Sequence, residues 1–157
     1  MEPRIDYHKV TTSGAAKAMY GLENFVRNCG LEHSLLELVK MRASQINGCA
    51  YCLDMHSKDA RAAGESEQRL YTLSAWRETP FFNDRERAAL EWTEALTLIS
   101  ENDIDDALYE RVRAQFSEDE LVSLTTAIVA INGWNRFAIS FRSVPGSYQP
   151  RGTAATS

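Results

Sequence analysis

Apolar residues at three- and four-residue intervals, in run after run, constrain this chain more than any other feature. No stretch alternates for long in the way a half-buried strand must. The breaks between runs are helix punctuation, so the chain reads as a succession of helices. The first begins near Thr12 or Ser13, turns Met19, Tyr20, Leu22, Phe25 and Val26 inward, and ends at Cys29-Gly30. A second runs from His33 or Ser34 to Ile46, with Leu35, Leu36, Val39 and Ala43 as its stripe and Asn47-Gly48 as its stop. The third starts after that pair and ends at Ala63-Gly64. Ser66 and Glu67 open a fourth that passes through Leu70, Leu73 and Trp76 and stops before Pro80. Asn83 with Glu86 is a capping-box pattern for a fifth through Leu90, Trp92 and Leu98. A sixth, from about Asp105 to Phe116, is amphipathic and expected to be mostly exposed. The last has Ser117 and Glu120 as its box, passes through Leu124, Ile128 and Ile131 to about Phe141, and is closed off by Pro145-Gly146.

These spacings predict an all-α, single-domain helical bundle of six to seven helices, with 1–157 as one domain and a core over about 15–142. The tail, 146–157, is expected to be disordered. At 157 residues the chain is long enough to bury a core without staples. A net charge of −5 argues against nucleic acid as a partner, because phosphate binding needs a basic face. The longest purely apolar run, Ala127 to Ile131, is far too short to span a membrane. No charged, apolar-cored leader follows Met1, and two of the three cysteines stand at CxxC spacing. That combination favours thiol chemistry in a reducing compartment over a disulfide scaffold, and a cytoplasmic protein is expected.

The chemistry concentrates in Cys49-Ala-Tyr-Cys52-Leu-Asp-Met-His56. At about 100° per residue, Cys52 lies about 60° round the helix from Cys49, and His56 falls between them. Both cysteines are expected in the first turn after Asn47-Gly48, where free backbone N–H groups and the helix dipole favour a thiolate. Two thiols three residues apart with a base one turn on make a redox centre that can attack an electrophilic oxygen or sulfur and close an internal disulfide. Two other accounts compete. The cysteines could be small buried core residues. Alternatively Cys49, Cys52 and His56, with Cys29, His33 or Glu37 as a fourth ligand, could hold structural zinc, although zinc ligands usually come in two spaced pairs.

Glu37 stands in an apolar neighbourhood, Leu35, Leu36, Leu38 and Val39, on the preceding helix. If the two helices form a hairpin across Asn47-Gly48, Glu37 faces the middle of the third helix, where His56 or a water chain to Cys52 would partner it. The competing reading is a solvated edge residue. Cys29 reads as a bystander, and His8 and His33 are assigned no role. Trp134-Asn135-Arg136 is read first as capping of neighbouring helix ends or subunit contact, and only second as pocket lining.

Glu37, then eleven residues, then Cys49-x-x-Cys52-x-x-x-His56 resembles the signature of the AhpD-like alkylhydroperoxidases within the carboxymuconolactone decarboxylase superfamily. The run Leu36 to Cys52, the stretch Asp59 to Gly64 and the later Ala130-Ile131-Asn132-Gly133-Trp134-Asn135-Arg136 are similar to the short single-domain members. The resemblance covers about residues 15–142. It implies an all-helical subunit in a trimer or hexamer, Cys52 as the thiol that attacks peroxide, Cys49 as the resolving thiol, and His56 with Glu37 as the proton relay. One departure stands out. Tyr51 occupies the position between the cysteines where the best-known members carry a second histidine.

Dipole logic alone favours Cys49 as the more acidic thiol. His56, however, can serve Cys52 directly or through a water, whereas it is two turns, about 10 Å along the axis, from Cys49. Cys52 is therefore preferred as nucleophile. The resulting expectation is a thiol-dependent peroxidase that reduces alkyl hydroperoxides, with a dithiol, lipoyl or thioredoxin-type reductant as partner and no cofactor beyond the cysteine pair. A thiol-disulfide sensor or adaptor and a zinc-stabilised interaction module are the alternatives.

Overall fold

The computed structural model describes residues 1–10 and 14–150. Among them the chain forms seven α-helices and one 3-10 helix, and no strand. The helices are α1 (Ala15–Arg27), α2 (His33–Asn47), α3 (Ala50–Ala62), α4 (Glu67–Thr72), α5 (Asp84–Thr97), α6 (Asp106–Arg113) and α7 (Glu118–Phe141), with the 3-10 helix Leu73–Glu78 after α4. The all-α bundle expected of the sequence is the fold observed. No helix among the described residues is long and apolar enough to cross a membrane.

Helix α2 is the central element and packs against α3, α5 and α7. Its apolar stripe explains this: Leu35, Leu36 and Val39 join Ala89, Trp92, Leu124 and Ile128 in the main core, while Leu38 and Met41 face a second cluster with Leu73, Trp76, Phe82 and Leu90. A helix apolar on several sides must be covered on several sides. Both capping boxes read from the sequence are formed, Asn83 with Glu86 on α5 and Ser117 with Glu120 on α7. Each satisfies backbone donors that a helix start otherwise leaves open.

Several expectations are corrected. The start of α1 at Thr12 or Ser13 lies outside the described residues. Val26 is buried on α1, but Tyr20 and Phe25, expected inward, are exposed, because α1 packs chiefly on α7 and only a narrow face is covered. The expected fourth helix splits into α4 and the 3-10 helix, with Ala75 off helical geometry at φ −116° and ψ 30°. Leu70, Leu73 and Trp76 are all buried, and their three-residue spacing suits 3-10 winding, which stacks i and i+3. The sixth helix ends at Arg113 rather than near Phe116. The chain turns there, with Gln115 N–H donating to Val112 O at 2.9 Å, and Phe116 drops into the core. The tail departs from the disorder expected of it: residues 146–150 lie along α3, bonded to Asp54, Lys58 and Asp59. Residues 151–157 lie outside the described residues.

Candidate active site

The α2–α3 turn builds the site. Asn47 ends α2, and Gly48 takes the left-handed conformation at φ 68° that an L side chain resists. Gly48 N–H then bonds Gln45 O at 3.3 Å and Cys49 N–H bonds Ser44 O at 3.0 Å, a Schellman-type stop. Helix α7 holds this turn from behind. The Asn47 amide donates to Asn135 Oδ1 at 2.8 Å and to Asn132 Oδ1 at 3.0 Å, and Asn135 Nδ2 donates to Ser44 Oγ at 3.0 Å. Asn135 thus holds the end of α2 through the side chains of Asn47 and Ser44, where one reading of Trp134-Asn135-Arg136 expected a helix cap. Trp134 does not follow that reading: it lines the cavity described below.

Cys49 is the N-cap of α3 rather than a residue of its first turn, and its Sγ accepts the Cys52 backbone N–H at 3.3 Å. Cys49 and Cys52 are joined as a disulfide with Cα atoms 5.4 Å apart. Both are almost fully buried, at 1% and 2% exposure, so the buried-cysteine reading was right about environment and incomplete about chemistry. Cys29 is a free, half-buried thiol at the edge of the main core, outside the cysteine cluster.

The hairpin brings Glu37 of α2 to His56 of α3. His56 Nδ1 donates to Glu37 Oε2 at 2.8 Å, both side chains being buried. Glu37 is 4% exposed, which removes the solvated-edge reading. Its other oxygen lies 3.7 Å from Lys40 Nζ and 3.9 Å from His33 Nε2, and Lys40 is also paired with Glu23 at 2.8 Å. Burial works against the Glu37 charge, but the His56 hydrogen bond and the charges of His56, Lys40 and His33 outweigh it. The carboxyl is held below its ordinary range. With Nδ1 committed to Glu37, Nε2 is the nitrogen left to exchange protons with a substrate or a thiol.

A cavity of about 570 Å³ opens over this group. Cys52, His56 and Glu37 all line it; Cys49 does not. Its remaining wall mixes the aromatic rings of Tyr7, Tyr20, Tyr51 and Trp134 with charged side chains such as Glu23, Arg27 and Lys40, and the Tyr20 and Trp134 rings are 5.3 Å apart. Burial first, and then Tyr20 and Asp54, push the Tyr51 phenol above its usual range. Tyr51 therefore stays protonated near neutral pH. A second cavity of similar size, about 560 Å³, lies between α2, the end of α3 and the Pro80–Asn83 loop; Glu37 and Ala63 line both cavities, and the second reaches no cysteine.

Sequence reasoning missed four participants. His33 and Lys40 stand at i−4 and i+3 from Glu37, a helical spacing that carried the signal. Asp59 is one turn beyond His56 and lines the same cavity. His8, also assigned no role, lines the cavity and bonds Tyr20 Oη through Nδ1 at 2.5 Å. Zinc on Cys49, Cys52 and His56 does not fit the disulfide state. Ligand-type atoms of Glu37, His56 and Asp59 do fall within 4.8 Å of one another. They are already committed, Glu37 to His56 and Asp59 to Tyr148, and Lys40 supplies positive charge beside Glu37. We assign them no metal.

Residues 14–95 match the family model described as carboxymuconolactone decarboxylase. The chain belongs to the carboxymuconolactone decarboxylase family. An uncharacterised protein of Bacillus subtilis, YdfG, is 43% identical over 140 residues, which is 89% of this chain and 95% of that one. The crystal structure of a protein of unknown function from Agrobacterium tumefaciens, provisionally labelled an antioxidant defence protein AhpD, is 48% identical with a TM-score of 0.89. The match covers 94% of this chain and all (100%) of the other. The alkyl hydroperoxide reductase AhpD of Bradyrhizobium diazoefficiens is 38% identical over 47 residues, 30% of this chain and 26% of that enzyme. This family member accordingly has an AhpD-like all-helical fold.

Proposed function

We propose that this protein is a thiol-dependent peroxidase that reduces alkyl hydroperoxides through Cys52 and Cys49. The observation that carries the reading is the convergence on one cavity of Cys52, from a closed Cys49–Cys52 disulfide, and a buried His56–Glu37 pair. In the reduced protein, His56 Nε2 takes the Cys52 proton while Glu37 steadies the imidazolium. The thiolate attacks the outer peroxide oxygen, the O–O bond breaks, and the departing alkoxide takes a proton back and leaves as alcohol. Cys52 is left as a sulfenic acid, which the Cys49 thiol attacks to form the disulfide and release water. An external dithiol reduces the disulfide, so the net reaction turns hydroperoxide and dithiol into alcohol, water and a disulfide. A dithiol-fed cycle suits a reducing compartment, the cytoplasm.

The test follows peroxide consumption with dihydrolipoamide or dithiothreitol, together with sulfenic-acid trapping by dimedone. Cys52→Ser should abolish both signals, and Cys49→Ser should leave a trappable sulfenic acid on Cys52. His56→Ala and Glu37→Gln should each slow the reaction by on the order of 10²-fold, and less than additively together because they act as one relay. Dimedone found on Cys49 in the Cys52→Ser protein would reverse the assignment. Disulfide formation without steady-state turnover would leave a redox adaptor instead.

Assembly into a closed trimer or hexamer is part of the same proposal. On α7, Val122 and Val129 are 66% and 58% exposed, and seven residues apart they share one face of the helix. Phe25, Ile99 and Ile139 are exposed as well, more apolar surface than a monomer comfortably presents. Light scattering at micromolar concentration should give a multiple of 17.7 kDa; the monomer mass would refute assembly.

A further inference from the structure

After α7 ends at Phe141, Arg142 takes the left-handed conformation at φ 56° and the chain turns back onto α3. Three α3 side chains fasten it. Asp54 Oδ2 accepts Gly146 N–H at 2.9 Å. Lys58 Nζ, itself 2.9 Å from Asp54 Oδ1, donates to Tyr148 O at 3.1 Å and Gly146 O at 3.4 Å. The Tyr148 hydroxyl donates to Asp59 at 2.8 and 3.0 Å. Tyr148 and Pro150 then line the cavity that holds Cys52 and His56, whereas Asp54 and Lys58 do not. Asp54 and Lys58 therefore fasten the segment from outside the wall, whereas Asp59 fastens it from within the cavity; a short segment held by a few polar bonds is the kind that opens without global unfolding.

We propose that Gly146–Pro150 is a latched strap whose inner side, Tyr148 and Pro150, determines the bulk of the electrophile that reaches Cys52. With the latch closed, the strap narrows the cavity against bulky compounds; with the latch open, it does not. This rests on the proposed function only in taking the cavity as the place where substrate meets Cys52.

The experiment uses the reduced full-length protein and two probes of one chemistry, N-ethylmaleimide and fluorescein-5-maleimide. Modification at Cys52 is read by mass spectrometry. The Asp54→Ala/Lys58→Ala double variant removes the two fastenings that lie outside the cavity and leaves the Tyr148–Asp59 bond and the lining residues in place. The bulky probe should then react on the order of tenfold faster and the small one within about twofold of wild type, the scale on which pocket walls discriminate by size. Tyr148→Phe keeps the ring but loses the Asp59 bond, and should shift the ratio of the two rates in the same direction by less. Equal changes with both probes, or no change, overturn the proposal. Should the double variant fold poorly by circular dichroism, Tyr148→Phe and Lys58→Gln decide the question by the same ratio. A parallel comparison of cumene hydroperoxide with hydrogen peroxide should show the same shift in selectivity. If the wild type consumes neither peroxide, the peroxidase reading fails while the maleimide ratio still decides the strap.

Discussion

Cys49 and Cys52 are three residues apart, yet they occupy different electrostatic and steric settings. Both belong to one buried cluster with Ala138 and Tyr51, but Cys49 does not reach the cavity, and as N-cap its sulfur receives the Cys52 N–H. A thiolate there is stabilised by the end of α3. Cys52 lines the cavity. An external dithiol entering the cavity would therefore meet Cys52, and the leaving group would be Cys49, the sulfur better able to carry negative charge. In the proposed cycle the end of α3 would serve Cys49 as leaving group and His56 would serve Cys52 as attacking thiol. Reducing the disulfide with one equivalent of a monothiol should give a transient mixed disulfide on Cys52. In Cys49→Ser, treated with an activated disulfide, that adduct should persist, and peptide mapping should place it on Cys52. Recovery on residue 49 from the mirror variant Cys52→Ser at equal rate would contradict the division.

Among the elements, the α2–α3 hairpin is the working part and α7 is its brace. Asn135 is fully buried (0% exposed), and its amide satisfies both Asn47 and Ser44. Asn135→Ala would leave those groups short of partners and should cost about 1–3 kcal/mol, read by urea unfolding. Activity should fall with it, because the turn that sets Cys49 loses its brace. Much of this hairpin could be read from sequence because the signals are local: Asn47-Gly48 stops a helix by its own chemistry, and the intervals from the turn to Glu37 and to His56 place those two opposite each other. The capping boxes at Asn83 and Ser117 were readable for the same reason. What escaped depended on partners distant in sequence. Nothing near Tyr20 or Phe25 says that α1 will be covered along one narrow face. Nothing near Tyr148 says that Asp59 awaits it. The 3-10 winding after α4 was a different case, since Leu70, Leu73 and Trp76 carried the three-residue spacing.

At the scale of the whole molecule, two carboxylates, one buried and one half-buried, tie stability to pH. Glu37 is held low chiefly by His56 against the penalty of burial. Glu94, which joins α5 to α2 and the 3-10 helix, is held low by Arg77, Trp76 and Arg42 against the same penalty. A carboxyl whose folded pKa lies below its unfolded value contributes stability above the unfolded value, here 4.5, and loses it as pH falls through the folded value. Thermal stability should therefore be flat from neutral pH to about 5 and fall below about 4.5, where the unfolded chain binds protons more readily. Glu94→Gln should lower stability at pH 7 and flatten the acid slope; an unchanged slope would assign the acid limb to other carboxylates.

The position of Trp134 has a practical consequence. It shares the cavity with Cys52, while Trp76 and Trp92 are buried at 4% and 6% exposure and bonded through their indoles to Glu94 and Thr125. Disulfides quench nearby indole emission, so opening the Cys49–Cys52 bond should brighten Trp134 against a steady background from the other two. The protein would then report its own redox state, and stopped-flow fluorescence could time each half of the cycle without a coupling enzyme. Trp134→Phe should silence that signal and leave the emission of the buried pair in place.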